Sequence, residues 1–496
     1  MNRAADEVAA AERGARDHPL VIQGGMGVAI SGWRLARAVA LRGQLGVVSG
    51  TALETVHARR LEDGDRDGHL RRAYGAFPDQ ALAERVLDRW FLEEGRGAGS
   101  AYRSVPMFRI ESPRALRELT IIANFAEVWL AKDGHDGLIG VNYLEKIQIP
   151  TPDALYGAML AGVDYVTMGA GIPAGIPRLL DGLARHEHVS YKIAVEGAPA
   201  PDGAVVDFDP STVVGGPVAV VRPHFLAIVS SDVLATFLAK DAATRPDGFV
   251  VEHHRAGGHN APPRGPMVID DRGEPVYGAR DVARLEKIAA LGLPFWIAGG
   301  AASPGMLDSA RRAGAAGIQV GTAFALCVES GLSPELRDQT VAAARTGGSP
   351  VVTDPRASPS GYPFKVAKVD GTLSERDVYD ARARRCDVGL LRTPYMRPDG
   401  RVGYRCPSEP EDAYVRKGGA LHDTVGRVCL CNALLGTAGL AQLRDVGPEP
   451  PIVTLGDDVS RVVEVLGNAG SWTAADVLDY LLPDTAEARA RTISAR

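Results

Sequence analysis

A single parallel (β/α)8 barrel of the α/β class is the fold this sequence predicts, on three observations. Short apolar runs of strand length alternate with amphipathic stretches between residues 19 and 332. Several of these runs end in glycine, as strands do at the C-terminal mouth of such a barrel. Two consecutive strand-glycine-helix units, Pro294-Phe295-Trp296-Ile297-Ala298-Gly299-Gly300 and Gly317-Ile318-Gln319-Val320-Gly321-Thr322, form the arrangement with which the last two strands of a TIM barrel cradle a phosphate.

Pro19-Leu20-Val21-Ile22-Gln23 reads as the first strand and Gly24-Gly25-Met26-Gly27 as its turn, where a missing Cβ lets backbone approach a flat ring. Ser31 is placed to cap a helix to about Leu41 that Gly43 ends, and Leu45-Gly46-Val47-Val48-Ser49 is the second strand. The stretch 51–136, charged and arginine-studded, contains helical patterns at Leu82 to Glu94 and Pro113 to Ala126. It reads as a helical insertion over the mouth or flank. Leu138 to Asn142 is strand three, Pro152 to Ala161 a helix, and Val163 to Met168 strand four. From 190 to 223 two β-rich runs, Tyr191 to Val195 and Val218 to Arg222, suggest a hairpin excursion before strand five, His224 to Val229. Strand six is the run ending Val250-Val251-Glu252, which opens into His253-His254-Arg255-Ala256-Gly257-Gly258-His259. Ser303 and Pro304 supply the cap and first-turn proline of the helix between strands seven and eight. Residues 1–18 are an N-terminal extension, and 333–496 a C-terminal one with helices at Asp423 to Leu440 and Ala474 to Leu482.

A formal net charge of −6, with 45% hydrophobic and 23% charged residues, is a soluble globular balance that argues against nucleic acid or an anionic membrane as partner. The N-terminus lacks the apolar core of a signal peptide and no run of about 18 apolar residues occurs, so a cytoplasmic location is expected. Five cysteines are too few for a disulfide framework. Four of them, Cys386, Cys406, Cys429 and Cys431, gather in the C-terminal extension, but their spacing matches no zinc or iron–sulfur signature; no metal is assigned and buried or redox-inert cysteines are expected, with a metal or cluster site as the open alternative. Nothing here indicates an oligomeric state.

Ala256-Gly257-Gly258-His259, Ala298-Gly299-Gly300 and Gln319-Val320-Gly321-Thr322, in that order, resemble the nitronate monooxygenase (2-nitropropane dioxygenase) family. That family shares its FMN-binding barrel with flavin-dependent enoyl reductases of fatty-acid and polyketide synthesis. The resemblance covers roughly Leu20 to Leu332. It implies FMN as cofactor, with Gly24, Gly25, Met26, Asn142, Glu252, Gly257 and Gly258 along the ring and ribityl chain. Gly299, Gly300, Gln319, Val320, Gly321 and Thr322 would surround the phosphate. It also implies that His259, beside the flavin, acts as general base on the α-proton of a neutral nitroalkane or steadies an anionic nitronate, a role that requires an imidazole titrating near neutrality. For Asn142 an Asx turn is the bland alternative. His253 and His254, as strand neighbours, should face opposite ways, so that one at most enters the barrel.

Two residues depart from the family pattern. Glu252 stands where glutamine is common, and a carboxylate there would oppose the negative charge of a reduced flavin. Arg255 replaces an acidic residue; recognition of a carboxylate or nitro group is one reading, and a salt bridge to Glu252 or exposure to solvent is the other. The expected activity is FMN-dependent oxidation of a nitronate or nitroalkyl compound with O2. The alternative is an NAD(P)H-dependent enoyl thioester reductase.

Overall fold

The computed structural model describes residues 18–483, apart from 98, 199–202, 215–217, 219, 347–350 and 468–469. The expected N-terminal extension lies, but for His18, outside the described residues. Eight strands close into a barrel: β1 (Val21–Gln23), β2 (Leu45–Ser49), β3 (Ile139–Leu144), β4 (Tyr165–Gly169), β5 (His224–Val229), β6 (Gly248–Glu252), β7 (Phe295–Ala298) and β8 (Gly317–Val320). Each pairs in parallel with its sequence neighbours, and β8 returns to β1 through Val21 opposite Ile318. These strands are apolar on both faces because the helices cover one side and the barrel interior the other. Ile22, Leu45, Val47, Tyr165, Leu226, Val250, Trp296 and Ala298 form a cluster of their own. Trp296 is fully buried and donates its Nε1–H to the Pro19 carbonyl at 2.8 Å, tying β7 to the residues just before β1.

The 51–136 stretch holds helices Leu53–Glu62, His69–Gly75, Gln80–Trp90 and Arg114–Lys132. The last is the barrel's own crossover helix between β2 and β3, and the others pack on it at the flank, with Phe77 edge-on to Phe125. Gly157 in helix Thr151–Leu160 permits close packing against Arg114–Lys132, since a β-carbon there would lie 2.1 Å from the Ile121 carbonyl oxygen. A buried polar network joins insertion to barrel. Glu127 accepts from Trp33 N–H at 2.9 Å and lies 3.0 Å from His57 Nε2, while the Tyr74 hydroxyl lies 3.2 Å from His57 Nδ1. Burial alone would raise Glu127, but the His57 hydrogen bond and the Arg60 charge hold it down at about 2, whereas burial lowers His57. A neutral imidazole donating to a carboxylate, with Tyr74 donating to Nδ1, satisfies all three groups.

The hairpin excursion exists, but its second strand differs from the expected one. Val189–Ile193 pairs antiparallel with Ala204–Phe208, and Tyr191, Ile193, Val206 and Phe208 turn inward. Val218 to Arg222 forms no strand among the described residues, because Arg222 is held by Asp181 at 2.6 Å and Asp247 at 2.7 Å on the way into β5. The C-terminal extension packs into the barrel's own core through Val453, Leu455, Val459, Val462 and Trp472. In place of one helix from Asp423 to Leu440 there is a short turn, Leu421–Thr424, and helix Leu430–Thr437. All five cysteines are free, and no group of three or more His, Cys, Asp or Glu among the described residues could hold a metal ion. Among the same residues no helix is long and apolar enough to cross a membrane.

Candidate active site

At the C-terminal ends of the strands lies a cavity of about 220 Å³, and all fourteen residues named above for His259 and the flavin line it. At one side are the glycine ends of β7 and β8. Gly299 and Gly300 adopt φ of +90° and +77°, and a β-carbon on Gly299 would lie 2.6 Å from the His253 carbonyl oxygen. Glycine is required there on both counts. Ser303 caps helix Pro304–Arg312 by accepting from Met306 N–H, so the helix N-terminus follows the cradle directly. After β8, Gly321 leads into a single helical turn, Thr322–Ala325. A β-carbon on Gly321 would meet only the Met26 side chain, its Sδ at 3.5 Å and Cγ at 3.8 Å, in ordinary contact, so the space on that face belongs to the cavity.

The β1 turn forms another wall. Gly24 donates to the Val320 carbonyl at 2.9 Å and packs against the Gln319 side chain. Ser31 does not cap the following helix, whose N-cap is Gly32. Its hydroxyl instead accepts from Met26 N–H at 3.0 Å and donates to the Gly24 carbonyl at 3.1 Å, fixing the turn. Gly25 sits on Asn142, where a β-carbon would be 2.2 Å from Asn142 Cβ. Asn142 lies within β3 and accepts from the Thr167 hydroxyl at 2.7 Å, an interstrand contact in place of an Asx turn.

Glu252 ends β6 with no hydrogen-bond or ion-pair partner among the described residues, and burial pushes its pKa up to about 8. The group is therefore a neutral acid near pH 7, and the expected conflict with a reduced flavin disappears. Arg255 makes no salt bridge to Glu252; its guanidinium lies against Gly300.

His259 differs from expectation in its chemistry. Its Nε2 lies 2.7 Å from the Ser358 hydroxyl, its ring stands edge-on to Phe364, and burial, with the nearby Lys146 charge, lowers it to about 4. The imidazole is neutral at pH 7 and a weak base. Gly257 and Gly258 also serve a partner that sequence reasoning missed. A β-carbon on Gly257 would be 2.9 Å from the Leu455 carbonyl carbon, and Gly258 N–H donates to the Thr454 hydroxyl at 2.8 Å. Thr454, Leu455, Gly456 and Asp458, with Phe364 and Leu434, thus complete the cavity from the C-terminal extension. Lys365 anchors that strap by pairing with Asp457 at 2.5 Å. The one sequence signal was a short apolar run closed by Gly456. His253 and His254 stay outside the cavity lining. β6 stops at Glu252, so strand alternation no longer governs them, and their rings pack at 4.0 Å with His254 stacked on Tyr277.

No family model and no curated protein matches the chain. Among solved structures, FabK from Thermotoga maritima is 16% identical at a TM-score of 0.47, over 98% of this chain and 99% of that one. A nitroalkane oxidase from Streptomyces ansochromogenes is 15% identical at 0.43, over 96% and 97%. The enoyl reductase domain of MlnA, from the macrolactin biosynthesis cluster of Bacillus amyloliquefaciens, is 11% identical at 0.48, over 100% and 99%. At such identities and scores the likeness carries no argument about chemistry, which rests on the cavity itself.

Proposed function

We propose that this chain is an FMN-dependent oxidoreductase that oxidises a nitronate with O2. The observation that carries the reading is one cavity, at the C-terminal mouth, that joins the paired glycine ends of β7 and β8 to the His259 imidazole. The residues fit the cofactor. Gly300, Gly321 and Thr322 would hold its phosphate, and the niche that a β-carbon on Gly321 would enter is open. Gly24, Gly25, Met26 and Asn142 would lie along the ring. Glu252, kept neutral, offers an O–H donor without adding charge. Bound FMN would accept electrons from the substrate and pass them to O2.

The low basicity of His259 favours a substrate that arrives already deprotonated. An imidazole held at about 4 gives little driving force for removing a carbon-bound proton at pH 7. As a neutral ring it donates one N–H to an anionic nitronate, and the Lys146 ammonium nearby favours the same charge. The test is anaerobic mixing of the purified protein with propyl nitronate, then with NADPH, while the flavin spectrum is recorded. Bleaching by the nitronate is the expected result. Bleaching by NADPH with an inert nitronate would overturn the reading in favour of an enoyl thioester reductase.

A further inference from the structure

The phosphate end of the cavity carries two charged groups that the glycine cradle does not itself require. Arg255, in the loop after β6, packs on the open face of Gly300, where a β-carbon would sit 3.4 Å from its Nε and 3.5 Å from its Cζ. It is exposed and makes no ion pair or side-chain hydrogen bond among the described residues. A guanidinium is permanently charged, and its planar fork of N–H donors matches the oxygens of a phosphate.

Across the cradle stands Asp458, the N-cap residue of helix Val459–Leu466. A β-carbon on Gly456 would lie 3.0 Å from both Asp458 Oδ1 and Thr322 Oγ1, which places the two oxygens side by side. Burial raises the Asp458 carboxyl above its usual range, against the opposing pull of the Thr322 hydroxyl, its own amide, the Arg255 charge and the Ala302 amide, so these groups all face it. The Thr322 hydroxyl and the Ala302 amide are the natural donors of the loops after β7 and β8. Each has a single proton to give, and Thr322 Oγ1 already accepts from Gly456 N–H at 2.9 Å. An Asp458 oxygen and an oxygen of an incoming phosphate cannot both accept the same protons.

Building on the FMN reading above, we propose that Asp458 is the resting occupant of the phosphate cradle and that Arg255 draws a phosphate monoester into its place. The ligand takes over the Thr322 and Ala302 donors, Asp458 releases them, and Arg255 supplies the counter-charge. Phosphorylated and unphosphorylated flavin are thereby told apart by two side chains, one of them from the C-terminal strap.

Titration of the full chain, freed of bound flavin, with FMN and with riboflavin tests this through the quenching of flavin fluorescence. Arg255→Ala should weaken FMN by roughly ten- to a hundred-fold and leave riboflavin unchanged. Asp458→Asn should tighten FMN by several-fold, again with riboflavin unchanged, and the constant riboflavin affinity reports that each variant is folded. An Arg255→Ala effect that is equal for both ligands, or absent, would overturn the assignment, as would weaker FMN binding by Asp458→Asn. Wild-type protein that binds riboflavin as tightly as FMN would sink this assignment alone. Wild-type protein that binds neither would sink the proposed function and this assignment together.

Discussion

Replacing Glu252 by glutamine keeps the shape of the β6 end and removes its titration. The carboxyl has no partner among the described residues, and burial moves it from 4.5 to about 8. At 1.36 kcal/mol per pH unit that displacement corresponds to about 5 kcal/mol, which water reaching the group through the cavity reduces to roughly 2–3 kcal/mol. Because the folded chain holds this proton more tightly than the unfolded one, the contribution to stability is fully present below pH 4.5. It is lost as pH rises through about 8. Glu252→Gln has nothing to lose over that interval. Urea midpoints of flavin-free protein, taken from about pH 5 to about pH 9, should therefore show the variant gaining roughly 2–3 kcal/mol on the wild type. A wild-type-to-variant difference that stays flat across the range would refute a neutral acid at this position, and with it the account of how a flavin tolerates Glu252.

Two further outcomes are expected. Gly321→Val should fold, since its β-carbon meets only the flexible Met26 side chain at 3.5 Å or more, yet fill the niche proposed for the phosphate; purified variant that keeps stoichiometric yellow colour would contradict this. Glu127→Leu strips the acceptor from Trp33 N–H and His57 and should cost roughly 3–5 kcal/mol at pH 7. The folded value of about 2 lies below 4.5, so this stability is present above pH 4.5 and fades as pH falls towards 2. Thermal melts from pH 7 to pH 3 should show the gap narrowing below about pH 4.5, and an unchanged gap would refute it.

All eight strands were legible because a strand buried on both faces reads as a continuous apolar run, and β2 and β5 matched to the residue. The glycine turns were legible because φ near +80° and sub-van-der-Waals approaches exclude other residues at Gly299. Sequence failed where the deciding contact is distant. Gly257 was read as making room for a ring, but its close neighbour is Leu455, and nothing local to either residue announces the other. Ser31 has the composition of a helix cap, yet the free N–H and C=O of the Gly24 to Met26 turn claim its hydroxyl first. The Val218 to Arg222 run has strand-like residues, but its described end at Arg222 is tied to Asp181 and Asp247 at the entry to β5, contacts that no local pattern announces. The depressed basicity of His259 arises from burial by residues that lie far along the chain, among them Phe364.

The strap that finishes the cavity is synthesised long after the barrel it serves: Gly456 meets Thr322 across a separation of 134 residues. The residues from β1 to β8 therefore leave the pocket unfinished by themselves. A chain cut short after residue 332 would lose Thr454, Leu455, Gly456 and Asp458 from the cavity wall together with Val459, Val462 and Trp472 from the core that the strands share, so pocket and barrel depend on the same late segment.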